Sequence, residues 1–218
     1  KWPSGEINNL PLLKTACNSG IPIILSTGMA TTKEIEYAID TCIINGLEAT
    51  KIILLHCTSQ YPTKPEDVNL KAMLTLKKEF KVNVGLSDHT LGFESSICAV
   101  YLGATVIEKH LTLNKKMEGP DHKSSLEPNE LQSFIKVLRK IESYLGDGIK
   151  NPSKSEIKNI QIVRKSIVAS KNILKGELFT MENITTKRPG TGISPMKIES
   201  VIGEIAKKDF LKDECIEI

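Results

Sequence analysis

Four polar clusters each close a short apolar run and gather side chains that could do chemistry: Ser26-Thr27, His56-Cys57-Thr58-Ser59, Ser87-Asp88-His89 and Glu108-Lys109-His110. If the runs are strands, residues i and i+2 share a face. Glu108 and His110 then point together, Lys109 points away, and Ser87 pairs with His89 in the same manner. Neighbouring strands lie roughly 4.8 Å apart, close enough for His89 and His110 to converge on one ion. Two imidazoles completed by water and substrate oxygens suit Mn²⁺, Co²⁺, Fe²⁺ or Zn²⁺ better than Ca²⁺. The same spacing equally describes two strand-end histidines bonded to neighbouring loops, and His56 reads as an inward-facing packed histidine.

Other segments also admit two readings. Lys1, Ser4 and Glu6 could bind a phosphate or carboxylate, or form a surface segment. Ser26-Thr27-Gly28 offers hydroxyls and a close-approach glycine to an anion, or simply caps the next helix. Tyr61-Pro62 is a rigid loop tyrosine. Gly119-Pro120-Asp121-His122 is a turn by composition, placed where a lid would sit. Arg188-Pro189-Gly190 reads as an exposed turn.

The elements that must position these residues follow from periodicity. Residues 21–28, 51–57, 82–89 and 104–112 read as strands. Between them lie helical patterns: one from the Thr31-x-x-Glu34 capping box to Asn45-Gly46, then 69–80 and 94–102. The longest helix spans 128–145, opened by Pro128. Strands alternating with helices imply βα units and a parallel sheet. With no G-x-G-x-x-G or P-loop at any strand end, and chemistry at four successive strand ends, the pattern favours a (β/α)₈ barrel over an open doubly wound sheet. Four units make half a barrel, and residues 1–6 read as the tail of a preceding strand. The expected fold class is therefore α/β: the C-terminal half of a (β/α)₈ TIM barrel over residues 1–147, a polar linker over 148–160, and a small β-rich module over 161–218. That module shows short β-like runs (SIVAS, ELFT, NITTKRP) and a helix near 195–202.

Composition narrows the function classes. The 218 residues carry 40% hydrophobic and 25% charged residues and a net charge of +3, without the clustered Lys and Arg of a nucleic-acid or membrane footprint. Apolar runs are too short to span a bilayer. Five scattered cysteines read as reduced, structural and cytoplasmic.

In combination the motifs are specific. "KWPSGEI", "LSTGM", "HCTSQYPT", "VNLKAM", "SDHT", "IEKHLT", "GPDH" and "KRPGTGISPM" succeed one another in an order that resembles the N-acetylneuraminate (sialic acid) synthase family, across essentially the whole chain. That resemblance implies a barrel joined to a SAF (antifreeze-like) domain. It implies condensation of phosphoenolpyruvate with N-acetylmannosamine to give N-acetylneuraminate and phosphate. A variant of the same chemistry uses a 2,4-diacetamido-2,4,6-trideoxy hexose and gives N,N'-diacetyllegionaminate. By the match, His89 and His110 hold a divalent metal, most often Mn²⁺, with Mg²⁺ or Co²⁺ as alternatives. Lys1, Ser26 and Ser87, with Ser4 in the same strand-end motif, hold phosphoenolpyruvate. Glu6 and Glu108 are catalytic carboxylates, while Tyr61 and Asp121 contact the sugar. Ser59 is a further candidate contact, standing where some members have asparagine. The resemblance further implies a domain-swapped homodimer, Arg188 reaching the partner's sugar. Residues 1–218 alone are expected to be inactive, since further contacts come from the other half of the barrel. A non-catalytic binding protein on the same scaffold is the alternative of another class; the lysines and acids of the small module argue against ice binding.

Overall fold

The structure is a computed structural model describing residues 1–218. Its contacts divide the chain into two units, Lys1–Gly148 and Ile149–Ile218.

In the first unit four strands, β1 (Ile23–Ser26), β2 (Ile52–Cys57), β3 (Asn83–Asp88) and β4 (Ile107–Lys109), form one sheet in the order β1-β2-β3-β4. Every pairing is parallel. Helices α1 (Leu10–Cys17), α2 (Thr32–Ile44), α3 (Ala72–Phe80), α4 (Glu94–Tyr101) and α5 (Pro128–Leu145) fill the connections. Leu25, Ile52, Leu54, Val84 and Leu86 bury their side chains against Leu13, Ala38, Cys42, Met73 and Ala99. This apolar layer fixes the strands, leaving their C-terminal ends free for polar side chains. Capping is local and explicit. Thr31 and Glu34 close a reciprocal box on α2, and Glu127 and Glu130 close another on α5 behind Pro128, satisfying amides that have no partner within the helix.

Three differences from the periodicity reading have physical reasons. The strands are shorter, β4 running over only three residues, because their flanks turn into loops. Residues 10–17 are helical, started by the Asn9 side chain accepting from the Leu12 amide and by Pro11 in the first turn. The polar segment read as a linker, residues 148–160, instead opens α6 (Lys154–Val163), which is capped by a Ser153–Glu156 box and runs on into the segment read as the small module. Residues 1–3 approach β1 as expected of a strand tail: Trp2 donates to the Ile24 carbonyl at 2.7 Å and accepts from the Ser26 amide at 3.0 Å.

The second unit holds α6, the antiparallel pair β5 (Ser166–Ala169) and β6 (Ile184–Lys187), and the short helix α7 (Ile198–Val201). Its core centres on Phe179 and Phe210, edge to face at 5.7 Å, with Ile167, Ile173 and Ile216. The ELFT run contributes a single bridge, Leu178 to Ile205.

Candidate active site

Register places the functional side chains in a row. Cys57 pairs with Ser87, and Ser87 with Glu108, so three adjacent strands present these residues on one face. Lys1, Ser4, Ser26, Ser59, Tyr61, Ser87, His89, Glu108 and His110 all line one cleft of about 280 Å³ at the C-terminal ends of the strands. A larger groove, about 540 Å³ beside Val68, Leu70, Leu91 and Cys98, is mainly apolar and gathers no comparable set of reactive groups.

Glu108 is the hub. Its Oε1 accepts from the Ser87 hydroxyl at 2.9 Å and stands 3.0 Å from Lys1 Nζ. Ser4 Oγ accepts from the Gly28 amide at 3.0 Å. A side chain at Gly28 would collide with the hydroxyls of Ser59 and Ser4, so glycine lets the loop after β1 close over the cleft. Ser26 Oγ is buried and has no hydrogen-bond partner in the protein. Such a group costs about 1–3 kcal/mol unless a ligand oxygen completes it.

The two imidazoles stand edge to face with ring centroids 5.3 Å apart, and Tyr61 lies against both, 4.1 Å from His89 and 5.1 Å from His110. His89 Nδ1 is 2.7 Å from the Thr58 carbonyl, an acceptor only, so Nδ1 carries the proton and Nε2 keeps its lone pair. Ser87 directs its hydrogen to Glu108, which leaves Nε2 available. Burial holds the His89 ring below the usual histidine range, with His110 adding to that effect against the opposing bond from Thr58. A neutral imidazole with a carbonyl on its far nitrogen is how protein histidines are held for metal binding. No group of three His, Cys, Asp or Glu side chains is arranged to hold a metal ion; a divalent cation held by the two imidazoles would have to take the rest of its shell from water and substrate. Burial likewise pushes the Tyr61 phenol and the Cys57 thiol up, keeping both protonated.

Three expected residues lie outside the cleft lining. The Glu6 carboxylate turns back on its own segment and accepts from Asn9 at 2.6 Å. Asp121 stands at the rim, its Oδ2 3.8 Å from His110 Nδ1. Arg188 belongs to the second unit, where its Nε donates to the Val163 carbonyl at 2.8 Å. His56, read as a packed histidine, is half-buried and bonds the Val68 carbonyl at 2.6 Å. Sequence reasoning placed Cys57 in a strand-end cluster but read its thiol as structural. The available signal was its place as the last residue of β2, the register partner of Ser87.

Parallel strands with reactive groups at their C-terminal ends define the class: part of a (β/α)₈ barrel, followed by a small β-rich domain. Family models agree, the NeuB family matching residues 1–150 and the SAF domain residues 164–217. The chain belongs to the NeuB family. It is 56% identical over 99% of its length to the N,N'-diacetyllegionaminic acid synthase of Campylobacter jejuni subsp. jejuni, covering 65% of that protein. To the enzyme of the same name from Legionella pneumophila subsp. pneumophila it is 44% identical over 93% of its length, covering 58%. Among solved structures, the N-acetylneuraminic acid (sialic acid) synthetase of Leptospira borgpetersenii serovar Hardjo-bovis, in complex with citrate, superposes with a TM-score of 0.65 at 39% identity, over 72% of this chain and 54% of that one. The chain thus spans less than two thirds of the length of these relatives.

Proposed function

We propose that the full-length protein condenses phosphoenolpyruvate with an open-chain 2,4-diacetamido-2,4,6-trideoxy hexose to give N,N'-diacetyllegionaminate and phosphate. The observation that carries the reading is one cleft holding a lysine, an unpartnered buried serine hydroxyl and two neighbouring imidazoles. Lys1, Ser26 and Ser87 are placed to neutralise and orient the phosphate and carboxylate of phosphoenolpyruvate. Its methylene carbon attacks the aldehyde carbon, water adds to the resulting cationic centre, and the C–O bond to phosphate breaks. Glu108, joined to both Lys1 and Ser87, is placed to move protons on the added water or the new hydroxyl. His89 and His110 would hold the divalent cation, Mn²⁺ first and Mg²⁺ or Co²⁺ as alternatives. When bound, that ion polarises the aldehyde oxygen. Tyr61 and Asp121 flank the histidines where a sugar would enter, with Ser59 at the loop beside them.

The relatives at 56% and 44% identity favour the diacetamido sugar. The likeness to a sialic acid synthetase at 39% identity supports N-acetylmannosamine as the second reading. We further propose a homodimer in which Arg188 serves the partner's cleft. Its Nε is tied to a backbone carbonyl, leaving the exposed remainder of the guanidinium for an acyl oxygen. Five free cysteines and phosphoenolpyruvate as substrate support a cytoplasmic site of action, and no helix is long and apolar enough to cross a membrane. Competition of the two aldehydes for the full-length enzyme tests the assignment. A higher kcat/KM for the diacetamido sugar is expected; preference for N-acetylmannosamine reverses it.

A further inference from the structure

Directly behind His89 and His110, on the opposite face of the same two strands, lies an ion pair that the proposed chemistry does not touch. Asp88 and Lys109 are register partners in β3 and β4. Lys109 Nζ stands 2.9 Å from Asp88 Oδ2, and the two side chains are 3% and 1% exposed. The carboxylate is saturated with donors. Its Oδ1 accepts from the Thr90 amide at 2.9 Å and the Thr90 hydroxyl at 2.8 Å. Its Oδ2 accepts from Ser95 at 2.7 Å and Ser96 at 2.6 Å. Lys109 donates again, to the Thr90 carbonyl at 2.6 Å.

These bonds grip the backbone on both sides of His89, at residues 88 and 90, and also the residue before His110. They add to direct bonds at the histidines themselves, where the His89 carbonyl accepts from the Thr63 amide at 2.8 Å and the His110 carbonyl from the Leu126 amide at 2.8 Å; the ion pair ties the two strands to each other at this point. The β3–β4 ladder has three register pairs, and Asp88–Lys109 is the last of them. Stability alone is a weak reason to bury such a pair, since well-packed apolar residues of similar volume often serve as well or better. A fully satisfied network does add rigidity to the segment it spans.

We infer that the Asp88–Lys109 pair is a positioning device that sets the spacing and mutual angle of His89 and His110, and through them the affinity of the cleft for a divalent cation. The inference rests on the reading of these histidines as metal ligands. Neither Asp88 nor Lys109 touches the ion or the substrates. Both act through the backbone of the residue that follows them.

Mn²⁺ binding by the full-length protein, followed as loss of the free-ion signal in electron paramagnetic resonance, separates the possibilities. The double variant Asp88→Asn/Lys109→Met replaces the pair with neutral groups of similar size, and Ser96→Ala removes one donor while leaving the pair in place. Thermal melts establish that each is folded, and His89→Ala is run alongside. Losing groups that orient metal ligands costs about 10–100-fold in metal affinity. A rise of that order in the Mn²⁺ dissociation constant is expected for the double variant, with a smaller rise for Ser96→Ala. Phosphoenolpyruvate binding without metal should hold at the wild-type value, because its proposed partners face the other way. A folded double variant with wild-type Mn²⁺ affinity, beside a His89→Ala variant that has lost it, overturns the inference and spares the metal reading. Unchanged Mn²⁺ binding in His89→Ala overturns both. If the double variant does not fold, Ser96→Ala decides: unaltered affinity there also overturns the inference.

Discussion

Glu108→Gln should separate substrate binding from turnover in opposite directions. Glu108 Oε1 holds the Lys1 ammonium at 3.0 Å and the Ser87 hydroxyl at 2.9 Å, two groups proposed to receive phosphoenolpyruvate. The incoming trianion must therefore take both from a carboxylate already bonded to them. The side chains of Lys1 and Glu108 are 38% and 31% exposed, so the pair itself is worth about 0–1 kcal/mol. Glutamine keeps the shape and still accepts from Ser87, yet removes the competing charge. Phosphoenolpyruvate should bind up to about fivefold more tightly, the equivalent of 1 kcal/mol. Turnover should fall by about 10²–10⁴-fold if Glu108 moves protons in the reaction. Isothermal titration calorimetry of the full-length variant without aldehyde gives the first quantity, and steady-state phosphate release the second. Weaker phosphoenolpyruvate binding would show that Glu108 assists the anion site instead of competing with it. Unchanged turnover would remove Glu108 from the chemistry.

Three further outcomes follow from the same geometry. Ser26→Ala should leave the thermal melting point unchanged or slightly higher, because the buried hydroxyl has no protein partner. Its KM for phosphoenolpyruvate should rise about tenfold or more, the worth of a hydrogen bond to a charged group; a fall in melting point with unaltered KM would make Ser26 structural. Burial pushes the Asp88 carboxyl up, but the bonds from Ser96 and Lys109, the Lys109 charge and the bond from Ser95 outweigh it and hold the group below its ordinary value. Its contribution to stability is thus present above the unfolded-state value of about 3.9 and lost as pH falls through the lower folded value. Urea titrations should therefore show the wild-type advantage over Asp88→Asn shrinking as the pH is lowered below 3.9, and an advantage that grows there would contradict the sign. Iodoacetamide at neutral pH should modify exposed Cys98 well before Cys57, whose thiol burial pushes up, or Cys42, pushed up to about 12 by burial and by Cys17. Peptide mass spectrometry reads the order, and early labelling of Cys57 would show a more open cleft.

The parts of the site that were legible in the sequence are those that strand geometry alone decides. Alternation placed Ser87 with His89 and Glu108 with His110 on one side and turned Lys109 to the other, and the structure has them so. What sequence could not carry was set by contacts between distant segments. Lys109 finds Asp88 across a strand boundary, and nothing in "IEKH" says that its ammonium is buried. Cys57 enters the cleft because its register partner is Ser87, a fact of pairing and not of composition. Glu6 was read as a site carboxylate from the resemblance; its bond to Asn9 is a local contact that "KWPSGEI" does not announce. Helix α6 was missed for a different reason. Its polar, lysine-rich sequence resembles a linker, while its start depends on the Ser153–Glu156 box, a two-residue signal easily outweighed by the surrounding Gly, Pro and Ser.

Phosphate release by the full-length protein from phosphoenolpyruvate, with the diacetamido sugar or N-acetylmannosamine and with or without Mn²⁺, bears most directly on the cleft as a synthase site. The account predicts release that requires an aldehyde and a divalent cation, and that disappears in a His89→Ala/His110→Ala variant which still melts as the wild type does. Release that persists in that variant, or the absence of release with either aldehyde, would contradict it.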